Sequence, residues 1–155
     1  MDNTWKPITI LMADDDPDDC ILVKDALAEN RLDNDLRCVK DGHELMDYLY
    51  QRGKFGDVRL SPLPGLILLD LNMPKKDGRE ALKEIKADSR LRKIPVVVLT
   101  TSREKEDIVQ AYSLGANSFI VKPETFQALI DIIRSLGKYW FEIVALPALE
   151  KDKLH

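Results

Sequence analysis

At 155 residues the chain has the size of one globular domain, long enough for a real core. Apolar residues make up 45% of it and charged residues 32%, the balance of an ordered, soluble protein rather than a disordered one. A net charge of −4 argues against a surface built for nucleic acid or anionic membrane, and no apolar run is long enough to span a bilayer.

The first residues, Met1-Asp2-Asn3-Thr4, lack the basic and apolar regions of a signal peptide, so a cytoplasmic protein is expected. Cys20 and Cys38 stand in no metal or redox spacing, and two reduced thiols are the expectation.

The apolar pattern alternates between short β-rich runs and helical periodicity. Ile8 to Ala13 reads as a buried strand, Asp18 to Asn30 as a helix and Leu36 to Val39 as a short strand. His43 to Tyr50 is helical, followed by a Gly- and Pro-containing loop from Arg52 to Pro64. Leu66-Ile67-Leu68-Leu69 is a continuous apolar strand ending at Asp70. Arg79 to Ala87 is a helix and Pro95 to Leu99 another all-apolar strand. Ile108, Ala111 and Tyr112 share a helical face in a segment stopped by Gly115. Phe119-Ile120-Val121 is the last strand, and Phe126, Leu129, Ile130, Ile133 and Leu136 line one face of a final helix.

Strands alternating with helices imply a parallel sheet covered on both faces, and continuous apolar strands fit burial on both sides. The expected strand order is 2-1-3-4-5, with ligands at the carboxyl ends of the strands near the switch point between strands one and three. A single domain over residues 1–146 with a polar tail at 147–155 completes the expected organisation.

Acidic residues end the two strands that flank this crevice. Strand one runs into Asp14-Asp15-Asp16-Pro17-Asp18-Asp19, and strand three into Asp70. Helix capping accounts for part of the first run. Asp16 reads as an N-cap before Pro17, and Asp18 and Asp19 fall in the first turn, where carboxylates complement the helix dipole. Asp14 and Asp15 lie ahead of the cap and need another reason. Asp70 follows four apolar residues, where desolvation of its charge is costly unless it is paired or bound to metal.

Three carboxylates in one crevice repel unless a cation joins them, and hard oxygen ligands suit Mg2+, with Mn2+ as an alternative. Strand four leads into Thr100-Thr101-Ser102 and strand five into Lys122-Pro123. Thr101 and Ser102 are the better candidates for capping the next helix, Thr101 having capping-box spacing to Glu104. Thr100 and Lys122 are then free to face the acids. Three carboxylates, a divalent ion and one lysine sum to approximately zero charge.

As a set, Asp14-Asp15, Asp70-Leu71-Asn72-Met73-Pro74 with Asp77-Gly78, Thr100 and Lys122-Pro123 resemble the receiver domain of two-component response regulators. The resemblance implies a flavodoxin-like doubly wound five-stranded sheet and a phosphoryl switch rather than an enzyme. It implies Asp70 as phosphoacceptor, with Thr100 and Lys122 contacting the phosphoryl group. Metal would be held by Asp14, Asp15, Asp70 and the backbone carbonyl of Asn72, and the switch pair would be Thr100 and Phe119. A sensor histidine kinase is the implied partner.

The loop opened by Gln51-Arg52-Gly53-Lys54-Phe55, the run Lys75 to Glu80 and Tyr139-Trp140-Phe141-Glu142-Ile143-Val144 resemble small regulators paired with bacterial phytochrome kinases. An aspartyl-phosphate phosphatase is the rival reading. Such enzymes carry a second aspartate two residues after the nucleophile, and Asn72 stands there instead. Tyr139, Trp140, Phe141, Ile143, Val144 and Leu146 spread apolar area around the last helix, which points to a homodimer.

Overall fold

The computed structural model describes residues 8–143. Ten principal elements alternate: β1 (Ile10–Ala13), α1 (Pro17–Glu29), β2 (Leu36–Val39), α2 (Gly42–Leu49), β3 (Leu66–Leu69), α3 (Gly78–Ala87), β4 (Val96–Thr100), α4 (Lys105–Ser113), β5 (Ser118–Val121) and α5 (Phe126–Leu136). The strands form one parallel sheet in the order β2-β1-β3-β4-β5, as expected. β1 begins at Ile10 rather than Ile8, with Ile10 N–H bonded to the Asp35 carbonyl.

Each strand sends alternate side chains to two separate cores. Leu11, Ala13, Ile67, Leu69, Val96 and Val98 pack beneath α2 and α3. Ile10, Met12, Leu66, Leu68, Val97 and Leu99 pack beneath α1 and α5. Both faces are apolar, which is why these strands read as unbroken hydrophobic runs.

Register then places the chemistry. Ala13 pairs with Val39 on one side and Leu69 on the other, so β1 and β3 end level. The ladder runs one residue beyond: Asp14 N–H donates to the Val39 carbonyl and Asp70 N–H to the Ala13 carbonyl, both at 3.0 Å. Lys122 N–H likewise donates to the Thr100 carbonyl at 2.7 Å. The backbone of each acid is therefore set by the sheet and not by a free loop.

The long loop after α2 is packed, not loose. It holds a 3-10 turn at Gly53–Phe55, the Tyr48 hydroxyl donates to the Pro62 carbonyl, and the Tyr48 and Phe55 rings lie 5.0 Å apart. Three local expectations are corrected. Helix α4 starts at Lys105 with Glu104 as its cap residue, so Thr101 caps nothing; the Ser102 hydroxyl instead donates to Asp107 and accepts the Glu104 N–H. Tyr112 is half exposed although it lies on the same helical face as buried Ala111, and its hydroxyl accepts the Phe119 N–H.

The third concerns sulfur. Cys20 and Cys38 form a disulfide, not two free thiols, because α1 folds back over the edge of β2 and brings their Cα atoms to 6.6 Å.

After α5 the chain continues through Gly137 as a π-helical stretch, Gly137–Ile143. Trp140 packs beside Ile133 and Leu136 in the α1–α5 core, while Tyr139 is exposed. Val144, Leu146 and the expected boundary at 146/147 lie outside the described residues.

Candidate functional site

Asp16 caps α1 as expected, its side chain accepting the Asp18 N–H at 2.9 Å, with Pro17 at the first helical position. That turn leaves Asp14 and Asp15 at the mouth of the sheet. Asp14 is buried at 6% exposure, as is Asp70, and Thr100 is fully buried. Asp15 is exposed beside them. Gly78 allows the close packing behind Asp70: a Cβ there would lie 2.2 Å from the Asp70 carbonyl oxygen.

The side chains converge. Thr100 Oγ1 donates to Asp70 Oδ1 at 2.8 Å, and the Asn72 N–H donates to the same oxygen at 3.2 Å. Lys122 Nζ lies 3.3 Å from Asp70 Oδ2 and 2.7 Å from Asp14 Oδ2. Asp14 Oδ1 accepts the Asp16 N–H at 2.9 Å. The structure brings Asp14, Asp15, Asp70, Thr100 and Lys122 to one place. Phe119 is farther out, partly buried against the α2–α3 core. Asn72 is exposed and touches Asp70 through its N–H.

One residue was missed. Asp19 Oδ2 accepts a hydrogen bond from Lys122 Nζ at 2.7 Å across 103 residues of sequence. Its place in the first turn of α1 already had a sufficient local reason, so nothing in the sequence asked for a second.

The electrostatics follow from burial. Desolvation pushes the Asp14 carboxyl up to about 6 and the Asp70 charge adds to the rise, against the lowering pull of Lys122 and the Asp16 N–H. Burial also opposes the charge on Lys122, but its contacts with Asp14 and Asp19 and the Asp70 charge outweigh that and hold the ammonium above the usual lysine range.

Asp14, Asp15 and Asp70 each offer a carboxylate oxygen within 4.8 Å of the others. The buried Asp14 Oδ2 is met by Lys122 as an ion pair at 2.7 Å and has no further hydrogen-bond partner. An all-carboxylate set with spare oxygen lone pairs fits a hard divalent cation such as Mg2+ or Mn2+.

A family model described as the response regulator receiver domain matches residues 10–134. The chain belongs to that family. This receiver is 41% identical over 147 residues to the response regulator Rcp1 of Synechocystis sp., covering 95% of this chain and 98% of Rcp1. It superposes on the crystal structure of the phosphorylated cyanobacterial phytochrome response regulator RcpA with a TM-score of 0.85 at 40% identity, covering 92% of this chain and all (100%) of RcpA. The Mn(2+)-bound form of Rcp1 gives a TM-score of 0.82 at 42% identity, with 92% and 100% coverage. The phosphatase reading is set aside, because both the family match and Asn72 at the second position speak for a receiver.

Among the described residues no helix of this receiver is long and apolar enough to cross a membrane.

Proposed function

We propose that this receiver is a phosphorylation switch, not an enzyme with an external substrate, and that Asp70 accepts the phosphoryl group from a sensor histidine kinase. The observation that carries the reading is a buried strand-end carboxylate held between the Thr100 hydroxyl and the Lys122 ammonium, inside an acidic cluster. Asp14, Asp15, Asp70 and the Asn72 carbonyl would hold Mg2+, or Mn2+ in its place. When bound, the ion neutralises developing charge on the phosphoryl oxygens. Thr100 then has a new acceptor to bond, and its movement frees space toward Phe119, which is how the switch pair would respond.

Incubating the protein with acetyl phosphate, with and without Mg2+, tests this by intact mass and peptide mapping. A Mg2+-dependent phosphate adduct on the peptide carrying Asp70 is expected; no adduct, or one placed elsewhere, refutes it.

The phytochrome link is part of the same proposal, supported by the likeness to RcpA and Rcp1. A cleft beside Lys122, lined by Leu22, Pro123, Thr125 and Phe126 together with Asp19 and Glu124, would be the surface next to that lysine for the kinase to meet. The exchange is placed in the cytoplasm, where a reducing pool would open the Cys20–Cys38 bridge. Recovery of the chain with the cell envelope would count against that placement.

We further propose one receiver domain over residues 1–146 and a homodimer through the last helix. The exposed Tyr139 supports the dimer, whereas Trp140 is spent on the protein's own core. A monomer mass independent of concentration in light scattering would rule it out.

A further inference from the structure

Lys122 is surrounded by more carboxylate than phosphoryl chemistry requires. Its Nζ lies 2.7 Å from Asp19, 2.7 Å from Asp14 and 3.3 Å from Asp70, so the acceptor is the most distant of the three. Asp19 also stands outside the set that can hold a metal, which is Asp14, Asp15 and Asp70. Its inward turn has no helix-dipole explanation. Asp18, beside it in the same first turn, answers the dipole equally well and stays exposed.

The position of Asp19 is built in by tertiary packing. Helix α1 docks on α5 through Val23, Ala26 and Leu27 against Leu129, Ile130 and Ile133, and Asn30 Nδ2 donates to the Ile130 carbonyl at 2.9 Å. This fixes the helix start over the end of β5, where Lys122 emerges. The Lys122 side chain is 14% exposed and that of Asp19 28%, so water screens the pair only in part.

We propose that Asp19 is a positioning residue for Lys122. In the unphosphorylated protein it holds the ammonium on the α1 side of the site, and an arriving phosphoryl group must draw the ammonium off it. The inference rests on the reading of Asp70 as acceptor. In transfer from acetyl phosphate, an Asp70 carboxylate oxygen forms a bond to phosphorus as the bond from phosphorus to the acetate oxygen breaks. Acetate leaves with the electron pair. Asp19 exchanges neither proton nor bond; it only loses its share of the lysine.

This arrangement makes the two directions of the reaction unequal. Uptake starts with the ammonium on Asp19, so the cost of leaving belongs to the uptake barrier. Hydrolysis starts from the phosphorylated state, where the ammonium has already moved, so its barrier does not include that cost. Asp19→Asn keeps the size and an acceptor oxygen while removing the charge.

The test is a time course of phosphate adduct by intact mass, using acetyl phosphate and Mg2+ for uptake, then donor removal for hydrolysis. Asp19→Asn and Asp19→Ala are each expected to take up phosphate roughly fivefold faster, the scale of one partly screened ion pair, with hydrolysis unchanged. Asp18→Asn, which removes a charge from the same turn without touching Lys122, is expected to match wild type in both. Unchanged or slower uptake in the Asp19 variants overturns the proposal. So does equal acceleration in Asp18→Asn, which would mark a long-range charge effect. A change of both rates together would mark a general disturbance of the site and also overturns it. Absence of any adduct on wild type would instead remove the acceptor reading itself.

Discussion

Asp70→Asn is expected to take up no phosphate from acetyl phosphate in the presence of Mg2+, while remaining folded. The loss should be complete because transfer needs an anionic oxygen able to form the new bond to phosphorus, and an amide oxygen is too weak a nucleophile. Among the described residues no neighbouring acid is placed to replace it. Asp14 is equally buried, but burial favours its protonated form up to about pH 6 and it already contacts Lys122. Asp15 is exposed and has neither the Thr100 hydroxyl nor the lysine beside it.

The fold should survive, since the Asn oxygen can still accept the Thr100 hydroxyl and the Asn72 N–H, which both reach Asp70 Oδ1. A phosphate adduct on the folded variant, read by intact mass alongside circular dichroism, would contradict the assignment.

The second large effect is a pair of opposite stability changes. Without metal, Asp14, Asp19 and Asp70 share a single cation among the described residues, so the site carries surplus negative charge. Lys122→Ala removes that cation and leaves buried carboxylates uncompensated, which should cost about 3 kcal/mol. The sign follows from the raised lysine pKa: its stabilisation is complete below the ordinary lysine value and is lost only as pH rises through the still higher folded value. At pH 7 the whole contribution is present and is lost in the variant.

Asp14→Asn should act in the other direction. With a folded pKa near 6 against 3.8 for the free side chain, ionised Asp14 works against the fold. Its contribution is favourable below pH 3.8 and declines as pH rises toward 6. Replacing it should therefore stabilise the metal-free protein at neutral pH by about 1–3 kcal/mol, and by little near pH 4. Urea unfolding with a chelator at both pH values checks both variants. Added Mg2+ should narrow the gap between Lys122→Ala and wild type, because a cation at the carboxylates supplies part of the missing charge. A destabilised Asp14→Asn at pH 7 would mean that the charge surplus is not the governing quantity.

These expectations rest on features of different legibility. The fold was readable because the central strands β1, β3 and β4 are buried on both faces, so Leu66 to Leu69 and Val96 to Leu99 are apolar without alternation. The acidic site was readable for a related reason. Asp14, Asp70, Thr100 and Lys122 each end or follow such a strand, and a parallel sheet delivers all its strand ends to one edge. Local chemistry also sufficed for the Asp16 cap and the Pro17 start.

What only the tertiary structure decided involves groups distant in sequence or with an adequate local explanation already in hand. The Cys20–Cys38 bridge depends on how α1 lies over β2, which no spacing encodes. Tyr112 left the core because the roll of α4 against the sheet buries Ala111, and its hydroxyl found the Phe119 N–H instead. Trp140 turned inward because the π-helical stretch continues along the α1–α5 core.

Asp19 is the clearest case. Its sequence position calls for a solvent-facing carboxylate complementing a helix dipole, and docking of α1 on α5 turned it into a partner of Lys122. Periodicity and strand ends determined by themselves which residues reach the acidic edge of the sheet. Helix packing decided which charges compete for its one lysine, because that depends on contacts between elements about a hundred residues apart and not on any local pattern.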